Sequence, residues 1–136
     1  MLKENIRGYE RKDYESQTTG AMGFNFSTAE ASYETSDGKR VKVTIADTGG
    51  LGLAMMSLAA WSSLNVDKEN QNGWERTGTF EGHKSYEKYD KSRNASELAV
   101  IVEKRFIVTL NGDNCDMKDL KKFADDLDID HLKSLI

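Results

Sequence analysis

The amino-acid sequence predicts an α+β fold, in which an antiparallel β-sheet made of a hairpin and a meander packs against two main helices. Residues 73–111 contain successive runs of β-branched and aromatic residues separated by turn residues, which is typical of a meander. Residues 29–46 alternate apolar and polar side chains on either side of a turn, as a half-buried hairpin does. Residues 51–64 are rich in strong helix formers, and Met117–Leu127 spaces its apolar residues at helical intervals.

The length of 136 residues predicts a single α+β domain that covers the whole chain, 1–136. Residues 1–21 are polar and contain two glycines, and for this reason we expect a mobile arm or an edge strand there. The strand would lie around residues 6–14, with a loop after it.

The hairpin is the clearest local prediction. Ala29, Ala31 and Tyr33 share one face of the first strand, and the second strand runs over residues 40–46. Asp37-Gly38 between the two strands favours a type I′ turn, whose two central residues both need a positive φ.

The helix predicted at residues 51–64 is apolar around most of its circumference, so it must be covered on nearly every side. It could thread between the sheet and other elements, or a second copy of the chain could cover it. The second alternative predicts a homodimer whose interface includes Met55, Met56 and Trp61. A polar connector would follow at residues 65–72.

In the meander, Trp74 and Phe80 are predicted to share a face. The last hairpin has two possible registers. A two-residue loop at 103–104 would mix its faces, whereas a three-residue loop through Arg105 pairs Val102 with Phe106 and aligns a continuous apolar face. We favour the second register for that reason.

The C-terminal helix has a clear start. Asp116 is predicted to be its N-cap and Asp119 its third residue, which resembles a capping box. Its buried stripe would consist of Met117, Leu120, Phe123, Ala124 and Leu127.

The segment Gly8-Tyr-Glu-Arg11 also recurs as Gly73-Trp-Glu-Arg76, which raises a possible duplication of a βββα unit.

Charge and composition exclude several classes of function. The formal net charge is −4 and the isoelectric point is about 5.2, which disfavours a nucleic-acid partner. The longest apolar run, residues 51–64, is too short to span a bilayer. Cys115 is the single cysteine, so the chain can form neither an internal disulfide nor a cysteine-based zinc site.

The residues that could bind a ligand form a small set. Gly49, Gly50 and Gly52 join a strand to a helix, where backbone N–H groups could hold an anion, although we favour the simpler interpretation of a flexible strand-to-helix joint. Trp74 and His83 could border a ligand pocket, or they could be a packing residue and a surface residue.

Catalytic chemistry finds little support in the sequence. His83, His131 and Cys115 are the obvious candidates for a nucleophile and a base, and no motif places them together. We therefore predict no catalytic residues, no metal site and no cofactor. Between an enzyme and a non-enzyme, we favour a non-enzyme.

Five segments spread over most of the chain form a pattern, namely Ala29-Glu-Ala-Ser-Tyr33, Val41-Lys-Val-Thr-Ile-Ala-Asp47, Gly73-Trp-Glu-Arg76, Tyr86-Glu-Lys-Tyr-Asp90 and Arg105-Phe-Ile-Val108. In this pattern the chain resembles uncharacterised bacterial exported or lipoprotein domains. The resemblance implies a periplasmic or other extracytoplasmic location after removal of a leader.

We expect a non-catalytic binding or protein-interaction domain. The alternatives are a small-ligand or anion-binding enzyme that uses the Gly49 to Gly52 joint, and an immunity-type inhibitor whose acidic surface masks a basic toxin.

Overall fold

The computed structural model describes residues 5–6, 8–21, 24–47, 67–102 and 106–127. These residues contain nine strands and one helix. The strands are β1 Asn5–Ile6, β2 Tyr9–Ala21, β3 Phe24–Glu34, β4 Arg40–Asp47, β5 Asp67–Asn70, β6 Gly73–Phe80, β7 His83–Asp90, β8 Ala95–Val102 and β9 Phe106–Asp113, and the helix is α1, Met117–Leu127.

All nine strands belong to one antiparallel sheet with the order β1-β2-β3-β4-β9-β8-β7-β6-β5. The chain therefore runs through two meanders, β1 to β4 and β5 to β9, which meet where β4 pairs with β9. The predicted α+β fold with two main helices is wrong, because the described chain is predominantly sheet with one helix of 11 residues. The helix predicted at residues 51–64 lies outside the described residues.

The error arises from polar strands that lack an apolar alternation. β2 extends for 13 residues and pairs with β3 from Glu10 to Ala21, where the sequence predicts a mobile arm or an edge strand that ends near residue 14 and a loop after it. β5 occupies part of the predicted polar connector and pairs with β6. Pairing of the backbone stabilises such strands where the side chains do not alternate between a buried and an exposed face, as in β5, whose four residues are all exposed. The predicted βββα duplication is also incorrect, since the two meanders have four and five strands.

The predicted hairpins have the expected partners. Tyr33 lies opposite Val41 in the first hairpin. Val102 lies opposite Phe106 in the last one, so the register with the continuous apolar face is correct. The type I′ turn is not at Asp37-Gly38, where Gly38 alone has a positive φ, of 93°. Glu81-Gly82 instead has the positive φ angles that a type I′ turn needs, 51° at Glu81 and 83° at Gly82.

The main core lies between α1 and one face of the sheet, which we call the helix face. The predicted stripe of α1 is buried in full, and Phe123 meets the rings of Tyr9 and Tyr33 edge to face, each at a centroid distance of 5.1 Å. The sheet contributes a set of buried side chains from six strands, namely Tyr9, Ala31, Tyr33, Val41, Val43, Ile45, Phe80, Leu98, Val100, Val102, Phe106, Val108 and Leu110.

The start of α1 is fixed by side chains. The Asp119 backbone N–H donates to Asp116 Oδ1 at 2.8 Å, and the Asp116 N–H reaches Asp119 Oδ2 at 3.4 Å, so the predicted N-cap is correct. Gly112 of β9 lets α1 approach the sheet closely. A Cβ at this position would lie 2.9 Å from the Cys115 Cβ and 3.1 Å from Leu120 Cδ2.

The opposite face of the sheet, which we call the reverse face, has two different halves. Ala99 and Ile101 alternate with the helix-face residues of β8 and therefore belong to the reverse face, yet only 6% and 5% of their surface is exposed. Lys68 and Lys88 are exposed on the same face towards β5, and the other charged side chains there are half-buried.

Candidate binding surface on strands β5 to β8

The helix face carries an aromatic and cationic cluster near β5, at one edge of the described sheet. The Arg76 guanidinium lies over the Trp74 ring, 4.1 Å from its centroid, and the ring of Tyr89 is 6.3 Å from that of Trp74. Trp74 and Tyr89 lie directly opposite each other on β6 and β7, and both are half-buried, while Arg76 is exposed. We call these three residues the Trp74 cluster.

Neighbouring groups hold the Trp74 cluster in position. The Tyr89 hydroxyl donates to Asn94 Oδ1 at 2.7 Å, and the backbone carbonyl of Asn94 accepts the Cys115 N–H at 3.3 Å. A Cβ on Gly73 would lie 1.8 Å from the Tyr89 carbonyl oxygen, so only glycine permits this close approach of β6 to β7. The cluster is therefore part of a packed structure rather than a set of loose surface side chains.

A buried charge lies beside the Trp74 cluster. Glu87 is 6% exposed and lies opposite Arg76 on the helix face. Lys121 of α1 reaches it, with 2.5 Å between Lys121 Nζ and Glu87 Oε1. This ion pair connects the helix to β7 at the border of the apolar core.

The reverse face of the same strands carries a row of alternating charges, which we call the charge ladder. It consists of Lys68, Glu75, Lys88 and Glu97 on β5, β6, β7 and β8. Lys68 lies opposite Glu75, Glu75 opposite Lys88, and Lys88 opposite Glu97. Residues directly opposite one another share a face, so the four side chains form one row across four strands.

The charge ladder is ordered by its own contacts. Lys88 Nζ lies 3.6 Å from Glu75 Oε1. The Tyr86 hydroxyl hydrogen-bonds Glu75, and its pKa is raised, mainly by burial and also by the charges of Glu75 and Glu97.

Two open recesses border the charge ladder, and Lys88 lines both of them. One recess has a volume of about 240 Å³ and is lined by residues that include Lys68, Gly73 and Glu75. The other has a volume of about 260 Å³ and is lined by residues that include Glu97 and Asn111.

The structure does not bring together the predicted ligand residues. Trp74 and His83 lie on the same face of the β6–β7 hairpin but at its opposite ends, since His83 lies opposite Phe80. Six residues of extended chain separate the two positions by about 20 Å. Gly49, Gly50 and Gly52 lie outside the described residues, and the predicted anion site at this joint stays a prediction. The same holds for the predicted interface at Met55, Met56 and Trp61.

The candidates for nucleophile and base are also apart. Cys115 is 0% exposed, burial raises the pKa of its thiol, and its Sγ lies 3.8 Å from the Tyr9 hydroxyl oxygen. Its backbone carbonyl accepts a hydrogen bond from Ser96, which lies opposite Tyr89, six residues along β7 from His83. A buried, protonated thiol is a poor nucleophile. His131 lies outside the described residues.

Sequence reasoning identified Trp74 as a possible ligand residue but missed Arg76, Tyr89 and the charge ladder. The four ladder residues are scattered over thirty positions of sequence, so their common row appears only once the register of three strand pairs is known. The segment Trp74-Glu-Arg76 did hold a usable signal, because residues two apart in a strand share a face.

The comparisons with known proteins give no relative. No protein-family model matches the chain, no curated protein matches it, and no solved structure matches its fold. Over the part of the chain that the structure describes, no helix is long and apolar enough to cross a membrane. The same described residues contain no group of three or more His, Cys, Asp or Glu side chains placed to hold a metal ion.

Proposed function

We propose that this chain is a non-catalytic protein-interaction domain and that the Trp74 cluster is the centre of its binding surface. The observation that carries the proposal is the packed arrangement of Trp74, Arg76 and Tyr89 near the edge of the sheet. Trp, Tyr and Arg are the residue types that dominate binding energy at protein interfaces. Trp and Tyr bury large areas with little loss of conformational freedom, and the planar guanidinium of Arg donates several hydrogen bonds.

The surroundings of the Trp74 cluster support a protein partner. All four residues of β5 are exposed, and Asp67 and Glu69 lie opposite Arg76 and Trp74. A polar rim around a central aromatic group is the usual anatomy of such an interface. The resemblance to bacterial exported domains supports an extracytoplasmic location for this interaction.

The test is affinity capture from an extract of the native host, with the wild-type chain and three variants as bait. Trp74→Ala and Arg76→Ser each remove part of the cluster. Tyr14→Ala is the matched control, because Tyr14 is an aromatic residue that is 49% exposed on β2 with the Arg11 guanidinium 5.0 Å from its ring centroid. Circular dichroism establishes that each variant is folded.

We expect a protein that wild type and Tyr14→Ala capture equally and that both cluster variants lose. The loss should reach about 30-fold in affinity, because hot-spot residues contribute about 2 kcal/mol or more. Equal losses in the control and the cluster variants would contradict the proposal, and so would full capture by Trp74→Ala.

A further inference from the structure

Unlike the Trp74 cluster, the charge ladder on the reverse face is self-complementary in charge. Its charges read positive, negative, positive, negative from Lys68 to Glu97. Adjacent strands lie about 4.8 Å apart, so the row spans about 14 Å. Reading the row backwards exchanges every positive position for a negative one.

We propose that two copies of this chain associate through their charge ladders as a twofold dimer, with the symmetry axis parallel to the strands. The axis lies between β6 and β7. It places Lys68 of one copy over Glu97 of the other, and Glu75 over Lys88, so four intermolecular pairs of opposite charge form. This inference goes beyond the proposed partner surface, which lies on the other face of the sheet.

The direction of the axis follows from the charges. Two faces that pack against each other by a twofold operation need an axis in the plane of the interface. An axis that runs across the strands, along the row, would place each charge over the same residue of the other chain. The two chains would then repel each other. An axis parallel to the strands reverses the row and turns every contact into an attraction.

The local shape agrees with this arrangement. Lys88 is 51% exposed in its side chain and borders both recesses, while Glu75 is 31% exposed and lines one of them. The Lys88 ammonium of one copy can therefore approach the recess that contains Glu75 of the other copy. Lys88 and Tyr86 hold Glu75 in place before association, which lowers the entropy lost when the interface forms.

The contact covers four strands and belongs among the smaller, transient interfaces. Its attraction comes from two exposed lysines and two half-buried glutamates, and the Debye screening length falls to about 3 Å at 1 M ionic strength. We therefore expect a weak dimer at low salt that dissociates as the salt concentration rises.

The experiment compares two double variants with the same composition and net charge. Glu75→Lys/Lys88→Glu gives the order positive, positive, negative, negative. Reversing this row still places a charge of opposite sign at every position. Lys68→Glu/Glu75→Lys gives negative, positive, positive, negative, which reads the same in both directions and places like charges over each other. Sedimentation equilibrium of the full chain at micromolar to millimolar concentration measures association, and thermal unfolding checks the folding of each variant.

Wild type and Glu75→Lys/Lys88→Glu should dimerise at low salt, and Lys68→Glu/Glu75→Lys should raise the dissociation constant at least about tenfold, because each exposed pair contributes only a few-fold. A wild-type chain that stays monomeric at low salt overturns the proposal. Equal behaviour of the two double variants also overturns it, as does a dimer unaffected by salt. The salt titration of wild type gives an independent answer should either variant fail to fold.

Discussion

Replacement of Lys121 by Met should destabilise the fold more than replacement of its partner Glu87 by Met. Glu87 is the buried member of the pair, with 8% of its side chain exposed against 44% for Lys121. Removal of Lys121 leaves a carboxylate on the border of the apolar core without its nearest cation. Removal of Glu87 leaves an ammonium that can turn into solvent.

The magnitude follows from the burial of the two groups. Breaking a fully buried pair costs about 3 to 5 kcal/mol. Lys121 is half-exposed, so water screens part of the interaction, and Arg76 lies opposite Glu87 and can compensate for some of the loss. We therefore expect Lys121→Met to lower the free energy of unfolding by about 2 kcal/mol, and Glu87→Met to lower it by less than about 1 kcal/mol.

Urea denaturation of the two single variants and the double variant measures these values. The double variant should be no less stable than Glu87→Met, because it contains no unpaired buried charge. The reasoning fails if the two single losses are equal and add up in the double variant, since the residues would then act independently.

Three further outcomes can be measured by the same unfolding experiments. Gly73→Ala should lower the free energy of unfolding by about 2 kcal/mol or more, because its Cβ would lie 1.8 Å from a backbone oxygen. Gly78→Ala is the control, because the nearest neighbour of its Cβ is at 3.9 Å, and it should change the free energy of unfolding by less than about 0.5 kcal/mol. Asp116→Ala should cost about 1 kcal/mol through loss of the N-cap. Burial raises the pKa of both the Cys115 thiol and the Tyr9 hydroxyl. The contribution of Cys115 to stability is complete below the ordinary thiol pKa of about 8.5 and is lost as the pH rises above it, whereas that of Tyr9 is lost only above the ordinary phenol pKa of about 10. Cys115→Ala should make the unfolding free energy fall less steeply as the pH rises from about 8.5 to about 10, and an unchanged slope would contradict a buried thiol.

The parts of the fold that the sequence predicted correctly are those where burial imposes a pattern. The alternation in β3 and β4, the register of the β8–β9 hairpin and the stripe of α1 all follow from one apolar face packing on another. The N-cap at Asp116 was also predictable, because its hydrogen bonds involve residues three positions apart. Local chemistry and burial agree at these positions.

The polar strands were not predictable in the same way. β2 and β5 pair with β3 and β6, and the sequences of these two strands carry no periodic apolar signal. The composition of β5, Asp67-Lys-Glu-Asn70, also resembles a loop. Charged residues on a short strand at the edge protect a sheet from unwanted pairing, which explains why such a strand looks like a connector.

The candidate surfaces were hidden for a related reason. The Trp74 cluster combines residues from β6 and β7, and the charge ladder combines residues from four strands. Both surfaces depend on the register of the strand pairs, because a shift of one position would move every side chain of the shifted strand to the other face. The register of the sheet, which the structure supplies, is therefore the information that converts scattered residues into surfaces.

Site-specific photo-crosslinking in cells of the native host tests the central claim, a protein-interaction surface around Trp74, most directly. One chain carries a photoreactive residue in place of Glu69, which is exposed opposite Trp74. The control chain carries it in place of Tyr14, which is exposed on β2. We predict a discrete adduct with another protein from the Glu69 position and none from the Tyr14 position. Identical adducts from both positions, or none from the Glu69 position, would contradict the claim.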